Sequence, residues 1–150
     1  MPGTVHLLVG AALAALIPHT PTMVVAVFFS HYVLDLLPHI DAETFASKTG
    51  PYTGSQKISL VIDAILILTL LIALFLLRNE GAHILMGAVI AQLPDLMIPL
   101  ERYRVFYPLH RIHTMFHWNE KRANFWDWYI FALFAPILVA GSALVVIWNY

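Results

Sequence analysis

Long, almost uninterrupted apolar runs alternate along this chain with short polar segments that contain proline. Two of the runs, Ile58–Leu77 and Trp128–Trp148, contain a single charged residue between them, Asp63. At ~1.5 Å of rise per residue, a helix formed by either run is long enough to cross a hydrocarbon core of ~30 Å. The pattern therefore predicts two membrane-spanning helices.

Three shorter apolar segments predict further helices in the same bundle. Val5–Ile17 and Met23–Leu37 are joined by a short proline-containing segment, and Ala82–Leu100 is interrupted by prolines near its far end. Because the first two are marginal for full crossings, we expect them to be tilted, re-entrant or packed inside the bundle. The predicted fold is an all-α, polytopic transmembrane helix bundle, with residues 1–150 forming one membrane-embedded domain.

The two halves of the chain share a pattern that predicts an internal repeat. His6–Leu16 aligns with His83–Leu93 at one constant offset, which matches His, Gly, two Ala and two Leu positions. Each copy is followed by a proline-marked break, a histidine-containing segment and a long apolar run. We interpret the chain as two three-helix repeats, 1–78 and 79–150. The alternative is a chance similarity between helices rich in small residues.

Composition agrees with a membrane protein and limits the chemistry. The chain is 60% hydrophobic and 11% charged, which lies outside the usual range of soluble domains. It contains no cysteine, so disulfides, thiolate metal ligands and a cysteine nucleophile are excluded. Its eight histidines equal Lys and Arg in number, and imidazole is costly in lipid unless it binds something. The histidines are therefore candidates for a metal site.

A first set of candidate metal ligands lies at the end of the second apolar segment. His31, Asp35 and His39 follow each other at intervals of four residues, so on a continuous helix they lie along one stripe. An imidazole and a carboxylate one turn apart allow a single helix to bind a cation through two side chains. If Pro38 ends the helix, His39 lies in the following loop, where it remains within reach of the same ion. The alternative is a helix-end aspartate and two interfacial histidines that face water.

A second set of candidate ligands consists of His110, His113 and His117. Their spacings of three and four residues place all three imidazoles on one side of a helix. The alternative is an amphipathic helix that lies on the membrane surface with its polar side in the headgroups. Arg111, next to these histidines, is a candidate for binding the phosphate or carboxylate of a lipid substrate.

Carboxylates inside apolar segments are further candidates. Asp95, which follows Pro94, is predicted to be a metal ligand and catalytic group, because intramembrane carboxylates commonly mark functional sites. Asp63 and His6 are supporting candidates at the same predicted level of the bundle. Two other histidines are expected at the opposite end, outside the site: His19 and His83.

The distribution of basic residues predicts the orientation in the membrane. If the first two segments form a hairpin, every Lys and Arg except Arg78 lies on the side of the candidate ligands. Because basic loops remain on the cytoplasmic side, we expect this side to face the cytoplasm.

The donor types favour particular metals and reactions. Imidazoles and carboxylates without thiolates favour Zn²⁺, with Mn²⁺ or Fe as alternatives, and the number of candidates leaves one or two ions open. Such an ion lowers the pKa of bound water toward ~7, which makes hydroxide available at neutral pH. Hydrolysis is then the simplest chemistry. Two other classes stay open: a histidine-rich redox protein with haem or a di-iron centre, and a metal or proton transporter.

Three short motifs in this sequence resemble those of a known family. They are Leu93–Asp95, His110–Thr114 and Ser30–Asp35. In these motifs the chain resembles the small bacterial inner-membrane proteins classed as metal-dependent hydrolases. It departs from their pattern in the order of the motifs and in having Met115 where a histidine is expected. The resemblance implies an inner-membrane location and metal-binding roles for four residues: His31, Asp35, Asp95 and His110.

Together these observations predict a membrane-embedded, metal-dependent hydrolase at the cytoplasmic membrane interface. Its substrate is expected to be a lipid or another amphiphilic ester or phosphoester that arrives through the bilayer, and no nucleic-acid partner is expected. Asp35, Asp95 and Arg111 are the predicted catalytic residues.

Overall fold

The computed structural model describes residues 1–40, 53–77, 81–96, 103–116 and 125–150. These residues form helices and contain no strand, so the predicted all-α fold is confirmed. In chain order the helices are α1 (Gly3–Leu16), α2 (Thr20–Asp35), α3 (Gly54–Leu77), α4 (Gly81–Ile90), α5 (Tyr107–Phe116) and α6 (Phe125–Asn149).

Prolines set several of the helix boundaries. α1 ends shortly before Pro18, because a residue that precedes proline is disfavoured in the helical conformation. α2 has Pro21 in its first turn, where the missing N–H would have had no helical partner. α2 then ends at Asp35, a few residues before Pro38. The predicted stripe therefore stops at Asp35, and His39 lies beyond the helix.

α1 occupies the centre of the described bundle. Leu7, Ala11 and Ala14 on this helix are almost fully buried. Around it pack α2, α3, α4 and α6.

α1 and α4 run antiparallel and cross where Gly10 meets Gly87. A Cβ atom at Gly10 would lie 2.4 Å from the Gly87 carbonyl oxygen, and a Cβ at Gly87 would lie 2.5 Å from the Gly10 carbonyl oxygen. Both distances are shorter than atoms tolerate, so glycine is required for the two backbones to touch. The contact is reciprocal and joins two positions that the repeat alignment matches, although the repeat itself stays a prediction.

α3 and α6 are the two long apolar helices, and their side chains lie mostly on the outside. The segments Gly54–Leu76 and Trp128–Asn149 are long and apolar enough to cross a membrane. In their most apolar stretches 6% and 17% of the residues are buried, whereas a core helix of a soluble protein would be mostly buried. α1 and α4 are shorter apolar helices.

Asp63, the charged residue within an apolar run, joins α3 to the start of α1. Its carboxylate accepts hydrogen bonds from the backbone N–H groups of Gly3 at 2.8 Å and Thr4 at 3.1 Å, and from the Thr4 hydroxyl. The first N–H groups of a helix lack partners within the helix, and negative charge is favourable at that end. This capping role accounts for the charge of Asp63 without a metal.

Candidate metal centre

Four parts of the chain bring imidazoles and carboxylates together at one end of the bundle. His6 lies near the start of α1, His31 and Asp35 lie in the last turns of α2, Asp95 lies in the turn after α4, and His113 lies on α5. His6, His31, Asp35 and His113 are each at most 1% exposed. Of these five side chains Asp95 is the one that reaches the surface, with its side chain 29% exposed.

His31 and Asp35 form the local part of the cluster. Their spacing of one helical turn places His31 Nε2 3.1 Å from Asp35 Oδ2, as the sequence predicted. Both side chains are completely buried, so the alternative in which they face water is wrong. Burying an imidazole and a carboxylate costs free energy unless both groups have hydrogen-bond or charge partners. Their burial therefore indicates a functional role in addition to packing.

A hydrogen bond fixes which nitrogen of His31 faces the cluster. Nδ1 lies 2.8 Å from the Ala91 carbonyl oxygen, and because a carbonyl only accepts, Nδ1 carries the proton. In a neutral ring Nε2 would then present a lone pair, 3.1 Å from Asp35 Oδ2 and 3.4 Å from Asp95 Oδ1. A lone pair and two anionic oxygens repel each other at these distances, so the site requires a cation or an additional proton.

The distances between the candidate ligand atoms fit one small metal ion. A four-coordinate ion with ligands at ~2.0–2.1 Å keeps neighbouring ligand atoms ~3.3 Å apart. His31 Nε2 lies 3.1 and 3.4 Å from Asp35 Oδ2 and Asp95 Oδ1. His113 Nε2 lies 4.0 and 3.6 Å from the same two oxygens. The described donors thus fit a divalent ion with small local adjustments.

The arrangement of the described donors suits a single ion rather than two. Two groups of three side chains each place one ligand atom per residue within 4.8 Å of the others: His6, His31 and Asp95, and His31, Asp35 and His113. Both groups include His31, whose Nδ1 is already bonded to a carbonyl, so one nitrogen remains for a metal. Because one nitrogen binds one ion, the two groups describe alternative surroundings of the same ion.

His6 is better placed to hold Asp35 than to bind this ion. Two imidazoles on one tetrahedral ion have ring centres ~5 Å apart. The ring centres of His31 and His113 are 5.2 Å apart, whereas His6 stacks on His31 at 3.9 Å. His6 Nε2 instead hydrogen-bonds to Asp35 Oδ1 at 3.1 Å. Partners of this kind orient a ligating carboxylate and are part of a metal site's design.

The two oxygens of Asp35 have different surroundings. Oδ1 accepts hydrogen bonds from His6 and from the amino group of Met1, which lies 2.7 Å away. Oδ2 faces His31 and His113. One oxygen is therefore held in place while the other is directed toward the proposed ion position.

The carboxylate of Asp95 lies at the edge of the cluster, 3.4 Å from His31 Nε2 and 3.6 Å from His113 Nε2. A carboxylate that is ionised and partly exposed is able to act as a ligand or to accept a proton from water.

The remaining predicted site residues fall into two groups. His39 is buried, but its Nδ1 donates to the Leu37 carbonyl oxygen at 2.7 Å, and it does not belong to the two converging groups of described ligands. Arg111 is exposed on α5. The predicted helix around the second histidine set is present, yet the side chain of His110 and all of His117 lie outside the described part of the structure.

The two histidines expected outside the site are indeed elsewhere. His19 is exposed, and its Nδ1 lies 2.8 Å from the Thr22 hydroxyl. His83 Nε2 donates to the carbonyl oxygen of Ile17, at the end of α1 opposite to His6. The antiparallel pairing of α1 and α4 therefore separates His83 from the cluster, although the repeat aligns it with His6.

The fold and the cluster define the class of this protein as a helical bundle with a buried histidine and aspartate site. No protein-family model, curated protein or solved structure matches the chain. The resemblance to the inner-membrane hydrolases therefore rests on the three short motifs alone. From those motifs the structure brings together His31, Asp35, Asp95 and His113.

Proposed function

We propose that the protein is a membrane-embedded hydrolase that uses one divalent metal ion, most simply Zn²⁺. The observation that carries this proposal is the position of His31 Nε2, which is buried between the carboxylates of Asp35 and Asp95 at 3.1 and 3.4 Å. Neutral imidazoles combined with carboxylates suit Zn²⁺, with Mn²⁺ or Fe as alternatives. A bound ion of this type supplies water that is activated for hydrolysis at neutral pH.

The side chains divide into holding and reacting roles. Catalytic zinc sites commonly use three protein ligands, and His31, Asp35 and His113 form such a set with all three side chains buried. Asp95 lies 3.4 Å from His31 Nε2 and 3.6 Å from His113 Nε2, on the partly exposed side. In the proposed reaction the Asp95 carboxylate accepts the proton of the attacking water. His6 keeps Asp35 in place.

The substrate proposed for this site is an amphiphilic ester or phosphoester that is embedded in the bilayer. The exposed apolar surfaces of α3 and α6 support a position within a membrane, for which a bacterial inner membrane is proposed. The cluster lies at the end of the bundle where α1 begins and α2 ends, which suits a polar headgroup better than a fatty chain.

The distribution of basic residues favours a cytoplasmic location for this end of the bundle. The exposed Arg111 is proposed to contact a phosphate.

The position of the cluster also bears on the alternatives. A transporter is expected to bind its ion near the middle of the bilayer, between the repeats. Here the cluster lies at one end of α1, whereas the crossing with α4 at Gly10 lies further along the helix. The two carboxylates beside the imidazoles favour hydrolysis over haem binding.

The proposal is tested by hydrolysis in lipid vesicles. Purified protein with its affinity tag removed is reconstituted with Zn²⁺ and supplied with p-nitrophenyl esters and phosphoesters of several chain lengths. We expect hydrolysis that a chelator abolishes and that Zn²⁺ restores. Asp95→Asn is expected to keep the metal but to lose ~100-fold or more in rate, because it cannot accept a proton. His19→Ala is the control with unchanged rate.

Two outcomes would count against the hydrolase. One is that none of these substrates is cleaved by metal-loaded protein. The other is cleavage that persists at the same rate in chelator or in Asp95→Asn, since the reaction would then use neither the proposed metal nor the proposed base.

A further inference from the structure

Tyr32 stands next to the cluster without a role in the site described so far. It follows His31 on α2, and its ring makes edge-on contacts with the rings of His31 and His113, with centres 5.6 and 6.1 Å apart. On its other sides it contacts Phe28 at 5.5 Å and Phe116 at 5.3 Å. The ring is therefore fixed between α2 and α5, in contact with two of the three proposed metal ligands.

The hydroxyl group of Tyr32 is available for a ligand. Buried tyrosine hydroxyls usually find a hydrogen-bond partner. Tyr32 is partly buried, and among the residues that the structure describes its hydroxyl has none. A phenol is protonated at neutral pH, so the group acts as a hydrogen-bond donor.

We propose that Tyr32 donates a hydrogen bond to an anionic oxygen of the substrate, either an oxygen of a phosphoryl group or the oxyanion of an attacked ester. This inference rests on the proposed metal-dependent function, because the ion and Tyr32 would bind the same substrate group. A fixed donor beside the place where negative charge accumulates is the usual device for stabilising such oxygens. The packing of Phe28 and Phe116 supplies the fixed position.

Tyr32 also fills space between two helices, and a packing role has to be separated from a donor role. Tyr32→Phe removes the hydroxyl and keeps the ring, whereas Tyr32→Leu removes both. A donor role predicts that the two variants lose the same binding function. A packing role predicts that Tyr32→Phe behaves as the wild type.

The test uses Co²⁺ in place of the native ion, with inorganic phosphate as the probe. Co²⁺ is titrated into tag-free protein in detergent and followed by its visible absorption, and phosphate is then added to the loaded protein. We expect wild type and Tyr32→Phe to bind Co²⁺ with affinities within about twofold. Phosphate should shift the wild-type spectrum, and its affinity for Tyr32→Phe should be about tenfold or more lower, as expected for loss of a hydrogen bond to a charged group.

The outcomes separate the two proposals. Equal phosphate affinity in wild type and Tyr32→Phe overturns the donor role. This holds even if Tyr32→Leu binds phosphate more weakly, because the ring and not the hydroxyl would then be responsible. A Co²⁺ spectrum that does not respond to phosphate in the wild type overturns it as well. Absence of Co²⁺ binding in the wild type removes the metal-dependent function itself, and the role of Tyr32 falls with it.

Discussion

Replacing His31 by alanine, or Asp35 by asparagine, is expected to abolish metal retention while the protein still inserts and remains helical. Each change removes one of three proposed ligands, and the apolar surfaces that drive insertion are untouched. Loss of a partner that merely orients a ligand typically weakens a metal site by ~10–100-fold, so loss of a ligand should exceed ~100-fold. Metal content after dialysis measures the effect, and circular dichroism checks that the helices persist.

Two further variants make this result specific. His6→Ala should weaken retention by ~10–100-fold without abolishing it, because His6 holds Asp35 but does not bind the ion in the proposed arrangement. His19→Ala should have no effect, since His19 is exposed at a distant turn. Full metal content in both His31→Ala and Asp35→Asn would show that the ion, if present, is bound elsewhere.

A leucine in place of Gly10 is expected to separate α1 from α4 and to destabilise the protein strongly. The Cβ alone would lie 2.4 Å from the Gly87 carbonyl oxygen, and backbone atoms at a crossing have little room to move. Overpacking usually costs ~1–3 kcal/mol, and a clash with the backbone itself should reach at least the upper end. Since α1 carries His6, which holds the proposed ligand Asp35 in place, metal retention should fall as well.

Gly141→Leu is the matched control for this change. Gly141 lies on α6 with nothing within 4 Å of its Cβ position, so a leucine there meets open space. Thermal unfolding in detergent should show a large decrease for Gly10→Leu and almost none for Gly141→Leu. Equal melting temperatures for the two variants would mean that the α1–α4 crossing is not as close as described.

Local patterns in the sequence predicted the parts of this molecule that depend on neighbouring residues. The apolar runs predicted the helices, because a long continuous run of apolar residues is itself the sequence pattern of a helix in apolar surroundings. The spacing of His31 and Asp35 predicted their contact, because residues four apart on a helix are neighbours. The predicted apolar segment Ala82–Leu100 is helical as far as Ile90 and continues as turns to residue 96, which include Pro94.

Contacts between distant helices were less predictable. Asp95 and His113 were predicted ligands, but their positions in the sequence did not show that they would lie close together. In the structure Asp95 lies 3.4 Å from His31, and His113 lies 3.6 Å from Asp95. His6 was a supporting candidate only because it was predicted at the same height in the bundle as the ligands. Its hydrogen bond to Asp35 depends on how α1 packs against α2. Asp63 caps a helix about 60 residues away in sequence, which no local pattern reveals.

In the proposed site His31, Asp35 and His113 hold one divalent ion, and Asp95 lies beside it. The most direct test is the metal content of the wild-type protein, purified without an affinity-tag metal, incubated with Zn²⁺ and freed of excess ion before elemental analysis. We expect one ion per chain, because His31 offers a single free nitrogen to both groups of converging ligands. A content near zero would contradict the metal site, and a content near two would contradict the single shared position.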